Sequence, residues 1–118
     1  MHPEVQTSLL IYPYGLESFD AYLDFLAIAE ELLQVQAYEG IFQLASFHPQ
    51  YCFDGALLDD PANYTNRSPY PMLHLLRESS LEKALANYPE PEKIPQHNIA
   101  LTRQLGLATL EKLLNDCY

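Results

Sequence analysis

The sequence predicts a small α/β domain: one βαβ unit in a small sheet, followed by a long ordered loop and C-terminal helices. Three observations carry this. A short apolar run, Ser8-Leu9-Leu10-Ile11-Tyr12, is closed by Pro13 and Gly15. A helical pattern follows from Ser18 to about Gln34, and a second apolar run, Ile41 to Phe47, stops at His48-Pro49. Strand, helix, strand within about forty residues is the length and order of a parallel βαβ crossover. A two-layer α+β arrangement is the alternative.

Taken in order, the first run reads as a buried strand, because it is apolar, short and bounded by turn residues. In the helical stretch, Phe19, Tyr22, Leu23, Leu26, Ala29 and Leu33 share one side at 100° per residue, while Glu17, Asp20, Asp24 and Glu31 share the other. Ser18 is placed to cap the first turn. Gly40 opens the second strand. Both strands then finish at the same edge of the sheet, where ligands of open α/β sheets gather. Residues 49–68 lack helical periodicity and carry Pro49, Gly55 and Pro61, so they form a loop, with Tyr51-Cys52-Phe53 as a candidate short strand. Ser68-Pro69 is a helix-start signal, and it predicts a helix through Met72, Leu73, Leu75 and Leu76. Ser79 and Glu82 fit a capping box, restarting a helix to about Tyr88. Pro89-Glu90-Pro91-Glu92 is a linker, Pro95 opens the last helical stretch, and Gly106 divides it. Two strands make a poor sheet, so a third strand, a second chain or an absent segment must cover the edges.

A chain of 118 residues with 48% hydrophobic content is one domain with an ordinary core. No apolar run approaches the ~20 residues of a membrane span, since acids interrupt the longest candidate. The N-terminus shows no secretory pattern. Cys52 and Cys117 have no metal-ligand spacing and read as reduced thiols. The formal net charge is −10, and residues 1–66 contain no Lys or Arg against ten acids, whereas residues 67–118 balance. Such a field gives nucleic-acid binding no electrostatic footing; it draws cations or a basic partner, and otherwise keeps the surface solvated.

The residues that could carry chemistry cluster between positions 48 and 78. His48 ends a strand, Asp59 and Asp60 lie in the loop, and His74 sits on the expected helix. Two imidazoles and two carboxylates could make an N/O site for a divalent metal, although no diagnostic ligand spacing is present. Arg67 and Arg77 beside Asn63, Tyr64 and Asn66 could clamp a small anionic ligand. Each residue also has a structural alternative. His74 could pair with Glu78 one helical turn on, and either guanidinium could neutralise an aspartate and so fix the loop.

The run Ala45-Ser46-Phe47-His48-Pro49, then Tyr51, Phe53, Gly55, Asp59-Asp60, Asn63 to Pro71 and Leu73 to Glu78, resembles the bacterial domain-of-unknown-function family 1415. The resemblance covers about residues 7–106. The family pattern usually has Pro where this chain has Leu58, and an N-terminal segment with a Cys-Pro-Phe element that is missing here. The resemblance implies a cytoplasmic bacterial protein and brings no activity with it.

Two functions follow. One is a small enzyme or ligand-binding domain, with His48 as general base or metal ligand, Asp59, Asp60 and His74 as further ligands, and Arg67 and Arg77 as the anion clamp. The other is a non-catalytic interaction module, whose polar segment is a structural network and whose acidic half docks a basic partner; a homo-oligomer is compatible with either. The first requires these side chains to converge on one pocket.

Overall fold

The structure, a computed structural model, describes residues 5–38 and 40–118. Residues 1–4, read above for a leader, and Glu39 of the acidic set lie outside them. The elements are β1 (Thr7–Ile11), α1 (Phe19–Val35), β2 (Phe42–Phe47), β3 (Met72–Arg77), α2 (Glu78–Ala86), α3 (Ile94–Leu105) and α4 (Leu107–Asn115). Short 3-10 turns occupy Pro61–Thr65 and Pro91–Lys93.

The mixed α/β class stands, but the sheet is wound differently from the prediction. Its order is β1-β3-β2, with β3 antiparallel to both neighbours. β1 and β2 therefore run the same way and end at the same edge, as expected of a crossover. They do not pair with each other, because β3 lies between them. The unit is a split β-α-β.

β3 corrects the expected helix over 68–78. A central strand is apolar on both faces, so Met72-Leu73-His74-Leu75-Leu76 shows no alternation, and the run is too short to reveal any helical period. The Ser68-Pro69 signal goes elsewhere: the Ser68 hydroxyl donates to the Tyr70 carbonyl at 2.5 Å. His74 consequently stands on a strand, opposite Leu9 and Ala45, and Glu78 opens α2 instead of sitting one helical turn beyond it. α2 begins ahead of the Ser79 capping box, with no side-chain cap. Tyr51-Cys52-Phe53 is loop, not strand.

α1 forms as read. The Ser18 hydroxyl accepts from the Ala21 N–H at 3.4 Å, and Asp20 sits in the first turn, where the helix dipole favours an acid. Its Tyr22 is fully buried against the sheet. The Tyr22 hydroxyl donates to the Met72 carbonyl at 2.7 Å and accepts from the Phe47 N–H at 3.0 Å, so it stitches the helix into the last rung between β2 and β3. Burial pushes this phenol up to about 12.

The C-terminal helices pack on the loop. α3 and α4 both lie against the Pro61–Thr65 turn, and the Tyr118 hydroxyl donates to the Pro69 carbonyl at 2.7 Å. Gly106 separates them with φ 86°, a left-handed value that other residues adopt only with strain. Among the described residues, no helix is long and apolar enough to cross a membrane.

Candidate functional site

Among the described residues, many side-chain hydrogen bonds gather in the loop of residues 48–71. Its first residue, His48, is wholly inaccessible and packs between the rings of Phe19 and Tyr22, with centroids 5.3 and 5.0 Å away. Nδ1 accepts from the Gln50 N–H at 3.0 Å, which makes Nε2 the protonated nitrogen, and Nε2 donates to the Leu16 carbonyl at 2.8 Å. Burial, partly opposed by the Leu16 bond, lowers its pKa below the ordinary 6.5. A neutral ring with both nitrogens engaged is a bracket between β2 and the segment before α1.

Asn63 is also fully buried. Its side-chain oxygen accepts from the Phe53 N–H at 3.0 Å, and its amide donates to the Leu57 carbonyl at 2.8 Å. The same amide lies 3.8 Å from the thiol of Cys52. Asn66 ties the loop to the strand end: its amide donates to the Ser46 carbonyl at 2.8 Å, and its own carbonyl accepts the His48 N–H at 3.1 Å. Arg67 reaches two loop carbonyls, Tyr51 through Nε at 3.0 Å and Leu58 through Nη2 at 2.9 Å, while its guanidinium lies over the Tyr64 ring at 4.6 Å. Asp60 caps the 3-10 turn through the Ala62 N–H at 3.0 Å and forms a two-bond pair with Arg103 of α3, at 3.0 and 3.4 Å. That guanidinium is the main reason the Asp60 carboxyl is held below its usual range.

The expected convergence therefore does not form. His48 points to the α1 side of the sheet. His74 points to the other side, close to the Phe47 ring and to the Thr7 hydroxyl. Asp59 is exposed, and Asp60 is occupied by Arg103. Arg67 precedes β3 while Arg77 ends it, opposite the start of β2, so the two guanidiniums lie at opposite ends of the sheet. Arg77 donates to the Val5 carbonyl at 3.2 Å and covers the Phe42 ring. Among the described residues, no three His, Cys, Asp or Glu side chains come together where they could hold a metal ion. Both cysteines are free thiols.

Sequence reasoning placed Tyr22 on the buried face of the helix but missed what its hydroxyl does, and it missed Arg103. Tyr22 carried a legible signal, since a tyrosine at a core-facing helical position must find its hydroxyl a partner. Arg103 carried none, because its partner is far away in the chain. The reading also overlooked a groove of about 440 Å³ between α1 and β1, walled by Leu32, Leu33, Ser8 and Leu75, with Arg77 at its rim. A smaller hollow of about 390 Å³ adjoins Phe19, Pro49 and Arg67.

Fold and site together define a class: a split β-α-β domain whose polar loop is pinned by its own side chains and clamped by C-terminal helices. The chain belongs to the family of proteins of unknown function DUF1415, whose model matches residues 1–112. No curated protein and no solved structure matches it.

Proposed function

We propose that this domain acts by binding another protein chain rather than by catalysing a reaction, with residues 48–71 as a rigid part of its scaffold. One observation carries the reading. His48, Asn63, Asn66, Arg67 and Asp60 all direct polar atoms at this chain's own groups, and no buried side-chain N or O among the described residues lacks a partner. A catalytic or ligand-binding constellation keeps such groups free to meet a substrate. Apolar side chains face outward on both sides of the sheet, Leu9 and Ile11 on the His74 face and Ile28, Leu32 and Val35 along α1, and exposed apolar patches mark interaction surfaces. The free thiols support a reducing, cytoplasmic setting.

The test is a thermal-shift screen of divalent cations and small anions on the native chain and on Arg67→Ala. The reading expects Arg67→Ala to melt earlier and no ion to shift the native chain by a saturable amount. A ligand that binds the native state raises its melting temperature by mass action. A saturable shift that Arg67→Ala abolishes would overturn the reading.

A further inference from the structure

We infer that the partner is a basic amphipathic helix of another protein, and that it packs along the outward side of α1 on a seam of Asp20, Asp24, Ile28, Glu31 and Val35. This rests on the interaction-domain reading above and gives the partner its chemistry and its place.

The winding of the helix makes the seam. At 100° per residue these positions fall within about 80° of one another, in steps of three or four residues. Tyr22, Ala29 and Leu33 lie on the opposite side, where Tyr22 is buried against the sheet and the other two are half-buried. Every seam residue is exposed, Ile28 at 65% and Val35 at 73%, and Leu32 beside them is 57% exposed. α2 follows β3 and the C-terminal helices lie on the Pro61–Thr65 turn, so among the described residues no other helix covers this side of α1.

The spacing selects a helix as the occupant. Steps of three and four are those at which one helix meets another along a shallow crossing angle, ridge into groove. From Asp20 to Val35 the seam runs about 22 Å, which spans about four turns of a partner. Ile28, Leu32 and Val35 supply the apolar contact, as anchors do where an amphipathic helix lies in an apolar track.

Charge selects the kind of helix. α1 contains Asp20, Asp24, Glu30 and Glu31 but no Lys or Arg, and no base occurs anywhere in residues 1–66. On a solvated helix a base four residues away commonly answers an acid; here Asp20 has Asp24 in that place, a like-charge pair. Among the described residues no ion pair includes Asp20, Asp24 or Glu31. Lys or Arg on the partner would answer all three, at positions that interleave with its apolar ones.

The same acids turn other occupants away. A second α1 laid antiparallel about Ile28 would set Asp24 opposite Glu31 on both sides of the axis, and one laid parallel would oppose each acid to its own copy. Anionic membranes and nucleic acid carry the same sign as the seam.

Fluorescence anisotropy of a labelled synthetic peptide, titrated with the full chain, reads the outcome. The probe is a helix of about 18 residues, with leucine placed to meet Ile28, Leu32 and Val35, lysine placed to meet Asp20, Asp24 and Glu31, and alanine and glutamine elsewhere. It is made in both chain directions, and a scrambled peptide of the same composition is the control. One direction should bind with a micromolar Kd that rises about tenfold between low and physiological salt, and the scrambled peptide should bind about tenfold more weakly. Glu31→Lys should raise the Kd about tenfold and Ile28→Ser about fivefold. Glu111→Lys makes the same change of charge on α4 and should leave the Kd within about twofold. Far-UV circular dichroism should stay unchanged in all these variants, because each residue is exposed. Equal binding of the scrambled peptide, equal loss from Glu111→Lys and Glu31→Lys, or no saturable binding of either probe at about 200 µM would overturn the inference. Sedimentation of the chain alone tests the rival occupant: a dimer that Ile28→Ser disperses would give this face to a second copy and overturn the inference as well. Those failures would leave the broader reading intact if the ion screen stays silent. An Arg67-dependent ion shift would remove that reading whatever the peptide does.

Discussion

The loop of residues 48–71 and the β1 flank are built on opposite principles. The loop is polar and inward: an imidazole, two amides and a guanidinium replace an apolar core and hold irregular backbone in one shape. The flank is outward, with exposed leucines and isoleucines on β1 and along α1, where Asp24 and Glu31 lie beside them. The contrast teaches that composition does not say which residues form the interior. In this chain polar residues lock the loop, while many apolar side chains outside the small core stay exposed.

The sharpest way to break that comparison is Asn63→Ala. It removes the acceptor of the Phe53 N–H and the donor to the Leu57 carbonyl inside a site with no solvent. Unfolding free energy from urea denaturation should fall by about 3 kcal/mol. A loss near zero would show that the loop does not depend on its polar lock.

A second test is titration. The pKa of His48 is lowered on folding, chiefly by burial, so below the ordinary 6.5 the unfolded chain binds the proton more readily than the folded one. The stability this ring contributes is whole above pH 6.5 and drains away as pH falls towards the folded value. His48→Gln should flatten the stability-against-pH curve between that point and the carboxylate range. An unchanged slope in the variant would remove the ring from the account.

The smallest expected effect sharpens the contrast from the other side. Ile28→Ser, measured where the chain is dilute, should change unfolding free energy by about 0.5 kcal/mol or less, because Ile28 is mostly solvated. A larger loss would place that residue in the core.

Much of the architecture could be read from the residues themselves. α1 announced itself through its periodicity and Ser18, the two outer strands through short apolar runs with turn residues behind them, and the break at Gly106 through its glycine. β3 hid because a central strand loses the alternation that identifies a strand. The gap it fills was visible all the same, since two strands do not make a sheet. The site was less legible. Residues such as His48, Asn63 and Arg67 have the same chemistry whether they meet a ligand or a backbone carbonyl. Only their position decides, and that depends on contacts far apart in sequence.

The late arrival of β3 has a consequence during synthesis. At about 5–20 residues per second, β1 and β2 leave the ribosome well before the strand that must pair with both. Neither can form a local hairpin, and every ladder waits on a distant contact, which is the slow kind of folding. For that interval two apolar strands are open to neighbouring nascent chains. Ten acids without a single base in the first 66 residues give those emerging segments a common negative charge, which holds them apart until the centre of the sheet is made.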